Sequence, residues 1–535
     1  MYSFPAFSPN LEPELNGMKR FLSMAALMIL CGTASFAQYT NVLENGTAQT
    51  VTNTWAPDTV WVGGSTPSNA LYVVSGGDVS AVNLYVGAGT NAYNNEVTVS
   101  GSGSLVIQES LALGPGTNNV VVVTNGGWIA AGNLGISSNN SFNLDAGGTW
   151  SVSTGFDAST EGFYWNEGGH LAVEGALSGM AVTNGGLYLD GGRDLTLNGG
   201  SWSNSVYNLF VGYEDSGSVL TVTNGGRLLN AGGYVGWGSG SSNNAVVVSG
   251  AGSEWRLAGG LLHVGSGTNN ALTVSDQAWV YVGEADTNDF AAGAGGIVVA
   301  SSAGADLIVD RGSMVSTTGD LVLGGTNGFM RGTLTVTNDG AVSASTLMVH
   351  SGSTVSLDSG GSITNLSSMR VQSNAFLRGE GTISFGDTNA VLTFYGLGTL
   401  LDTGVVFSAG AGFSNTLAFY NGGLDVSQFD ASQYNNFNNL TLSNSTLYGA
   451  GTLSFDTITL SGGAISPGGN AIGSLRLEGG FSAAGTLYQA QVDNATNDVL
   501  SFSDAVDLSD MELLLAVSGT TPGALTILAA DGGLI

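Results

Sequence analysis

A short phrase returns along most of this chain, and its spacing constrains the fold more than any other feature. Val97-Thr98-Val99-Ser100-Gly101 is echoed by Val122-Val123-Thr124-Asn125-Gly126-Gly127, Val182-Thr183-Asn184-Gly185-Gly186 and Leu220-Thr221-Val222-Thr223-Asn224-Gly225-Gly226. It returns as Val246-Val247-Val248-Ser249-Gly250, Leu272-Thr273-Val274-Ser275 and Leu334-Thr335-Val336-Thr337-Asn338. Between these sits a second phrase, a short apolar run closing on Gly: Leu84-Tyr85-Val86-Gly87, Leu111-Ala112-Leu113-Gly114, Leu209-Phe210-Val211-Gly212, Tyr234-Val235-Gly236, His263-Val264-Gly265 and Leu321-Val322-Leu323-Gly324. Val222, Val248 and Val274 recur at intervals of 26 residues, and Val99 and Val123 are 24 apart. Such a period belongs to a solenoid, in which each repeat buries its apolar face only by stacking on its neighbours.

Each period has room for two or three short strands. In Leu220 to Thr223 apolar residues alternate with threonines, so one side points inward and the other to water. Gly and Asn close each strand because they tolerate the positive φ that a tight corner demands. The fold class that satisfies all of this is all-β, a right-handed parallel β-helix with successive turns about 4.8 Å apart. At about 25 residues per turn the chain predicts about twenty turns and a rod on the order of 95 Å long. A propeller needs about 40 residues per blade and does not fit the period.

Composition narrows the function. Hydrophobic residues make up 43% of the 535, enough for a large core and too many for a disordered chain. Charged residues are only 9%, which argues against coiled coils and long surface helices. The 85 glycines follow no triplet and come with 8 prolines, so the chain is not collagen-like. The surface is acidic: 40 acids face 10 bases, a formal net charge of −30. No lysine follows Lys19, and the later arginines are scattered, so nucleic acid is not an expected partner. Without that amine the chain also lacks a Walker phosphate loop and Schiff-base chemistry.

The N-terminus reads as a signal peptide. Met18-Lys19-Arg20 supplies the positive charge, Phe21 to Leu30 the apolar segment, and Ser35-Phe36-Ala37 the small residues of a cleavage site, predicting a mature start at Gln38. Residues 1–17 look like an upstream extension of the reading frame. The single cysteine, Cys31, lies in this leader with Leu30 where a lipoprotein signal wants a small residue. The mature chain is then cysteine-free, and a secreted protein of this kind relies on its core rather than on disulfides. No later apolar run reaches 18 residues, so no transmembrane helix is expected in the mature chain. The expected divisions are 1–37, extension and signal; 38–57, N-terminal cap or linker; 58–380, repeat β-helix; and 381–535, a C-terminal set of strand repeats.

Two segments carry a resemblance. Val247-Val248-Ser249-Gly250-Ala251-Gly252-Ser253-Glu254-Trp255, with Leu261-Leu262-His263-Val264-Gly265 and Leu272-Thr273-Val274-Ser275, resembles the repeat of autotransporter (type V secretion) passengers and PEP-CTERM proteins. Leu453-Ser454-Phe455 through Ile465-Ser466-Pro467-Gly468-Gly469-Asn470-Ala471-Ile472-Gly473-Ser474-Leu475 is similar to the autotransporter-associated strand repeat, with its Ser-Pro-Gly-Asn turn before an Ile-Gly-Thr-Leu strand. The resemblance implies a secreted protein at the cell surface or outer membrane of a Gram-negative-type bacterium. An autotransporter would end in a membrane β-barrel, and a PEP-CTERM protein in Pro-Glu-Pro, an apolar helix and basic residues. The chain stops at Ala529-Ala530-Asp531-Gly532-Gly533-Leu534-Ile535, which reads as the middle of a strand-rich module; a truncated frame is the expectation, a released protein the alternative.

Residues that could do chemistry are sparse. His170, His263 and His350 are far apart in sequence, and His263 fills the repeat position of Phe210 and Val322, so it reads as a strand residue. The segment Gly155 to His170 breaks the repeat; Asp157, Glu161 and Glu167 with Trp165 could serve a polysaccharide-cleaving β-helix, against the plainer reading of an irregular loop crossing between turns. Glu284, Asp286, Asn288 and Asp289 offer hard oxygen ligands for Ca²⁺, and Ser302 to Val309 faintly resembles a single calcium nonapeptide, though diffuse counter-ions on an acidic surface explain such acids equally. Trp128, Trp202 and Trp279 each follow a strand residue by five positions and Trp255 follows Val248 by seven, a recurrence that favours stacking between turns. No catalytic, cofactor or metal residue is assigned. The expectation is a non-catalytic structural or adhesin-like protein presenting a polar repeat face to surface glycans or neighbouring cells, with self-association or matrix formation as a further role. The alternative is a polysaccharide-degrading lyase or hydrolase on the same scaffold.

Overall fold

The structure, a computed structural model, describes residues 40–532 apart from 146–147, 153–155, 158–162, 166–169, 174–175, 179–181, 184–185, 259, 284–295, 302–303, 326–329, 387–388, 397–399, 402–403, 412–413, 494–495 and 519–525. The expected signal peptide, Lys19 and Cys31 therefore lie outside the described residues. Within them the chain is a parallel β-solenoid of about 17 turns. Strands are joined almost entirely by parallel pairing to the turn above and below, and two single 3-10 turns, Val426–Gln428 and Ala431–Gln433, are the helical exceptions among the described residues. No helix there is long and apolar enough to cross a membrane.

Each turn contributes one strand to each of three faces. In one N-terminal turn residues 83–86 lie on the first face, Glu96–Val99 on the second and residues 104–107 on the third. Long strands such as Asp78–Val86 and Ser104–Leu113 bend midway, closing the third face of one turn and opening the first face of the next. The repeat register is the one the spacing predicts. Val222 pairs with Val248 and Val248 with Val274, and Val99 pairs with Val123. The ladder continues through Val309, Val336 and Leu357, at intervals that stretch to 35 residues after Val274, where the strand after Val282 begins only at Gly296. The solenoid has about 17 turns rather than the expected twenty, a rod of about 80 Å.

Alternation puts the core inside the tube. Glu96–Val99, Leu209 and Val211 in Asn208–Val211, and Val219–Thr223 all show every second side chain buried, and one apolar cluster runs from Val51 to Val506. Fully burying each such Val or Leu stabilises the solenoid by roughly 1.5–3 kcal/mol. At the far end, strand Met511–Ser518 pairs with Thr486–Asp493 and leaves Leu513, Leu514, Leu515 and Val517 about half exposed.

The corners explain why the two phrases are linked. Where a turn passes from first to second face, Asn69, Asn95, Asn119 and Asn140 are buried in a column. The backbone N–H and the side-chain Nδ2 of Asn95 both donate to Oδ1 of Asn119, at 3.0 and 2.8 Å, and Asn119 repeats the pair onto Asn140 at 2.9 and 2.9 Å. Each preceding residue, Asn94, Asn118 or Asn139, has positive φ, which turns the chain into the strand. The Gly that closes the apolar phrase lies against this column: a Cβ on Gly87 would fall 2.0 Å from Nδ2 of Asn119, and one on Gly212 2.1 Å from Nδ2 of Asn244. The later corner is built alike, with Asn244 donating twice to Oδ1 of Asn270 at 3.1 Å.

The column changes place along the rod. Asn69 to Asn140 precede strands of the second face, whereas Asn244 and Asn270 precede Ala245–Ser249 and the strand containing Leu272, on the third. The shift by one face falls in the segment that interrupts the repeat. That segment is not an irregular loop in its described parts: residues 163–165 pair with 142–144, and His170–Val173 pairs with Thr149–Val152 and Asp194 to Leu197.

The tryptophans do not form one stacked column, contrary to the recurrence read from sequence. Trp202 and Trp255 share an inward column on the first face, separated by Leu228. Trp128 lies on the third face, its Nε1 donating to Ser151 Oγ at 3.1 Å. Trp279 pairs with Glu254, one position out of register with Trp255, and this single-residue offset turns it outward beside Tyr281.

Candidate functional site: an aromatic platform on the outer wall

The outward positions of the second face are mixed along the rod, with Tyr72, Thr98, Val122, Val322, Met348, Arg370 and Thr441 among them. Between Tyr188 and His263 they become aromatic. Tyr188, Phe210, Tyr234 and His263 occupy one outward column in four consecutive turns. Tyr188 and Phe210 stack with centroids 5.0 Å apart at 9°, and Phe210 and Tyr234 at 4.7 Å and 11°; His263 follows at 6.4 Å, tilted by 34°. The spacing is that of the turns, so the rings lie across the rod like rungs.

A second repeat position supplies two more rings. Tyr213 follows Gly212 and Trp237 follows Gly236, where other turns carry Ala88 and Ser266. Tyr213 stands edge-on to Tyr188 and Phe210, at 82° and 84°, and Trp237 to Phe210, Tyr234 and His263, at 74°, 81° and 72°. Their planes therefore run along the rod, and Trp237 spans three turns while remaining 42% exposed. Because all six side chains lie outside the tube, the core does not require them.

The rim is polar and acidic. Asp190, at the position held by Gly212 one turn on, accepts from the backbone N–H groups of Tyr213, Glu214 and Asp215 at 3.1, 3.2 and 3.0 Å, which fixes the loop that carries Tyr213. Glu214 and Asp215 project from this loop and are exposed. Arg193 donates to the Asp190 carbonyl at 2.9 Å. On the next loop Ser241 Oγ donates to Gly212 O at 2.6 Å and accepts from Asn244 Nδ2 at 2.9 Å, tying the platform's loops to the buried Asn column. His263 is partly buried in the stack with Nδ1 unpartnered, and burial holds its imidazole below the usual 6.5.

Sequence reading placed His263 correctly with Phe210 and Val322 in one strand position, but not the platform. The signal was present as Phe210-Val211-Gly212-Tyr213 and Tyr234-Val235-Gly236-Trp237, aromatic pairs three apart in successive turns. The acidic and calcium candidates are not brought together by anything described: Glu161, Glu167, Glu284, Asp286, Asn288 and Asp289 lie outside the described residues, as do the side chains of Asp157, Trp165 and His170. Among the described residues no three His, Cys, Asp or Glu side chains converge as a metal ion would need. One further feature, a wide-open depression of about 470 Å³, carries Asp456, Glu478 and Asp504, one acid per turn, beside Asn438. There Asp456 accepts from Asn438 Nδ2 at 3.0 Å and Glu478 pairs with Arg476 at 3.1 Å.

No family model matches the chain, and no curated protein does. Among solved structures, the Hap adhesin of Haemophilus influenzae is similar at 12% identity and a TM-score of 0.39 over 92% of this chain, and this chain spans 61% of that one. A hyper-glycosylated TibA fragment, residues 55–350, modified by TibC, is similar at 15% identity and a TM-score of 0.12, over 90% of this chain and 99% of that one. The PEP-CTERM resemblance gains no support from these comparisons. At these scores the likeness says nothing about ligand or activity.

Proposed function

We propose that the chain is a non-catalytic, surface-exposed rod whose outer wall makes attachments to surface glycans or neighbouring cells. The observation that carries this is the aromatic platform: six rings built outside a tube that does not need them, four of them in one outward column of consecutive turns. Exposed apolar surface of this kind is costly to keep soluble and marks an interaction site. Repeated polar columns along a rod add weak contacts by multivalency, so modest affinity at each turn suffices.

The test is to incubate the purified full chain with a panel of insoluble polysaccharides and measure both retention and polymer length. The account predicts retention with the polymer unshortened. Release of new chain ends would overturn it in favour of the polysaccharide-degrading reading.

A further inference from the structure

We infer that the platform of Tyr188, Phe210, Tyr213, Tyr234, Trp237 and His263 is a binding site for a neutral glycan chain laid along the rod. This deepens the attachment reading and rests on it. Two repeat positions became aromatic together in consecutive turns, Phe210 with Tyr213 and Tyr234 with Trp237, and neither position serves the core. The stacked column fixes the other two rings from behind. Trp237 is held edge-on by three rings at 6.2, 4.8 and 5.6 Å, and Tyr213 by two at 4.9 and 5.2 Å. A ring immobilised in this way loses little further freedom on binding.

The chemistry of the surface selects the ligand. A pyranose ring has an apolar C–H face that is attracted to the negative face of an aromatic ring, and a rim of hydroxyls that needs hydrogen-bond partners. Tyr213 and Trp237 supply planes that run along the rod in successive turns, so sugar residues of one linear chain meet them in sequence. The exposed Glu214 and Asp215 carboxylates stand on the same loop as acceptors for hydroxyl protons. Charge decides between sugar classes: Asp190, Glu214 and Asp215 outnumber Arg193, which is already bonded to the Asp190 carbonyl, and the chain as a whole carries −30. Uronic, sialylated or sulfated chains are therefore repelled, and neutral ones are not.

The experiment measures binding of the full chain to immobilised neutral hexasaccharides (gluco-, manno-, xylo- and galacto-configured), to polygalacturonate, and to a choline-bearing surface. Trp237→Ala and Tyr213→Ala serve as site variants and Tyr85→Ala, in the separate Trp61–Tyr85 pair, as the control. We expect at least one neutral oligosaccharide to bind, tenfold or more weaker binding in each site variant, partial retention in Trp237→Phe, and no change in Tyr85→Ala. Unchanged far-UV circular dichroism and melting temperature establish that the variants fold. Binding to none of the neutral sugars, equal binding by Trp237→Ala, or capture by choline or polygalacturonate instead would overturn the inference. Retention on polysaccharide that survives both site variants would overturn this site while leaving attachment through other faces standing; no retention of the unsubstituted chain on any polysaccharide would remove both.

Discussion

At the scale of single residues, the corners do the most to specify the fold. Asn119 satisfies four polar groups at once: it accepts from the backbone and side chain of Asn95 and donates to Asn140 Oδ1 and to the Ala92 carbonyl, all within 3.1 Å. Removing it leaves buried donors and acceptors unpaired, each worth about 1–3 kcal/mol, so Asn119→Ala should cost about 3 kcal/mol or more in denaturant unfolding. Gly87→Ala should cost a similar amount, since its new Cβ would collide with the Asn119 amide at a position with φ of +70°. The double variant should cost less than the two singles together, because removing the amide removes the collision; strict additivity would show that the two sites are not coupled through this contact. His263 gives a pH signature. Burial lowers its pKa in the folded chain, so below about 6.5 the unfolded chain binds the proton more readily and stability is lost as the pH drops; above 6.5 this contribution is fully present. His263→Phe, which keeps a ring next to Tyr234, should flatten the difference between pH 7.5 and 5.5, and an unchanged slope would remove His263 as its source.

At the scale of strands and turns, what could be read in the sequence followed from what repeats. The valines at 222, 248 and 274 give the strand register because an inward residue must recur once per turn, and the structure pairs them. The Asn column was in plain view as doublets, Asn94-Asn95, Asn118-Asn119, Asn243-Asn244 and Asn269-Asn270, yet read only as turn punctuation. Composition explains why a corner is polar, but only the stacking of turns shows that the second Asn is buried and bonded along the axis. Tryptophan spacing misled for a related reason: a one-residue offset exchanges inside and outside, so Trp255 is buried and Trp279 exposed although they lie in paired strands. Trp255 also donates from Nε1 to Asn230 Oδ1 at 2.6 Å. Trp255→Ala should therefore destabilise by about 3–5 kcal/mol, whereas Trp279→Ala should stay within about 0.5 kcal/mol, a contrast that thermal melts would expose. The platform was overlooked for a third reason. Its two aromatic positions are three apart, and only the corner at Gly212 or Gly236 folds the second ring back against the first.

At the scale of the whole molecule, a rod of stacked turns divides its labour by direction. The inside is one continuous apolar cluster that holds the turns together, and the outside is free to vary along the axis without disturbing it. This separation is why an aromatic platform can occupy four turns of one face while the corner that follows it keeps the Asn and Gly construction at Gly212, Gly236, Asn244 and Asn270. It is also why function would be read as a property of surface density: many rods presented together gain avidity that a single rod lacks. The most direct measurement is adhesion of beads coated with the full chain at graded density to a polysaccharide-bearing surface. The account predicts a rise in adhesion steeper than proportional to density, lowered throughout by Trp237→Ala; adhesion absent at every density, or unaffected by that substitution, would contradict it.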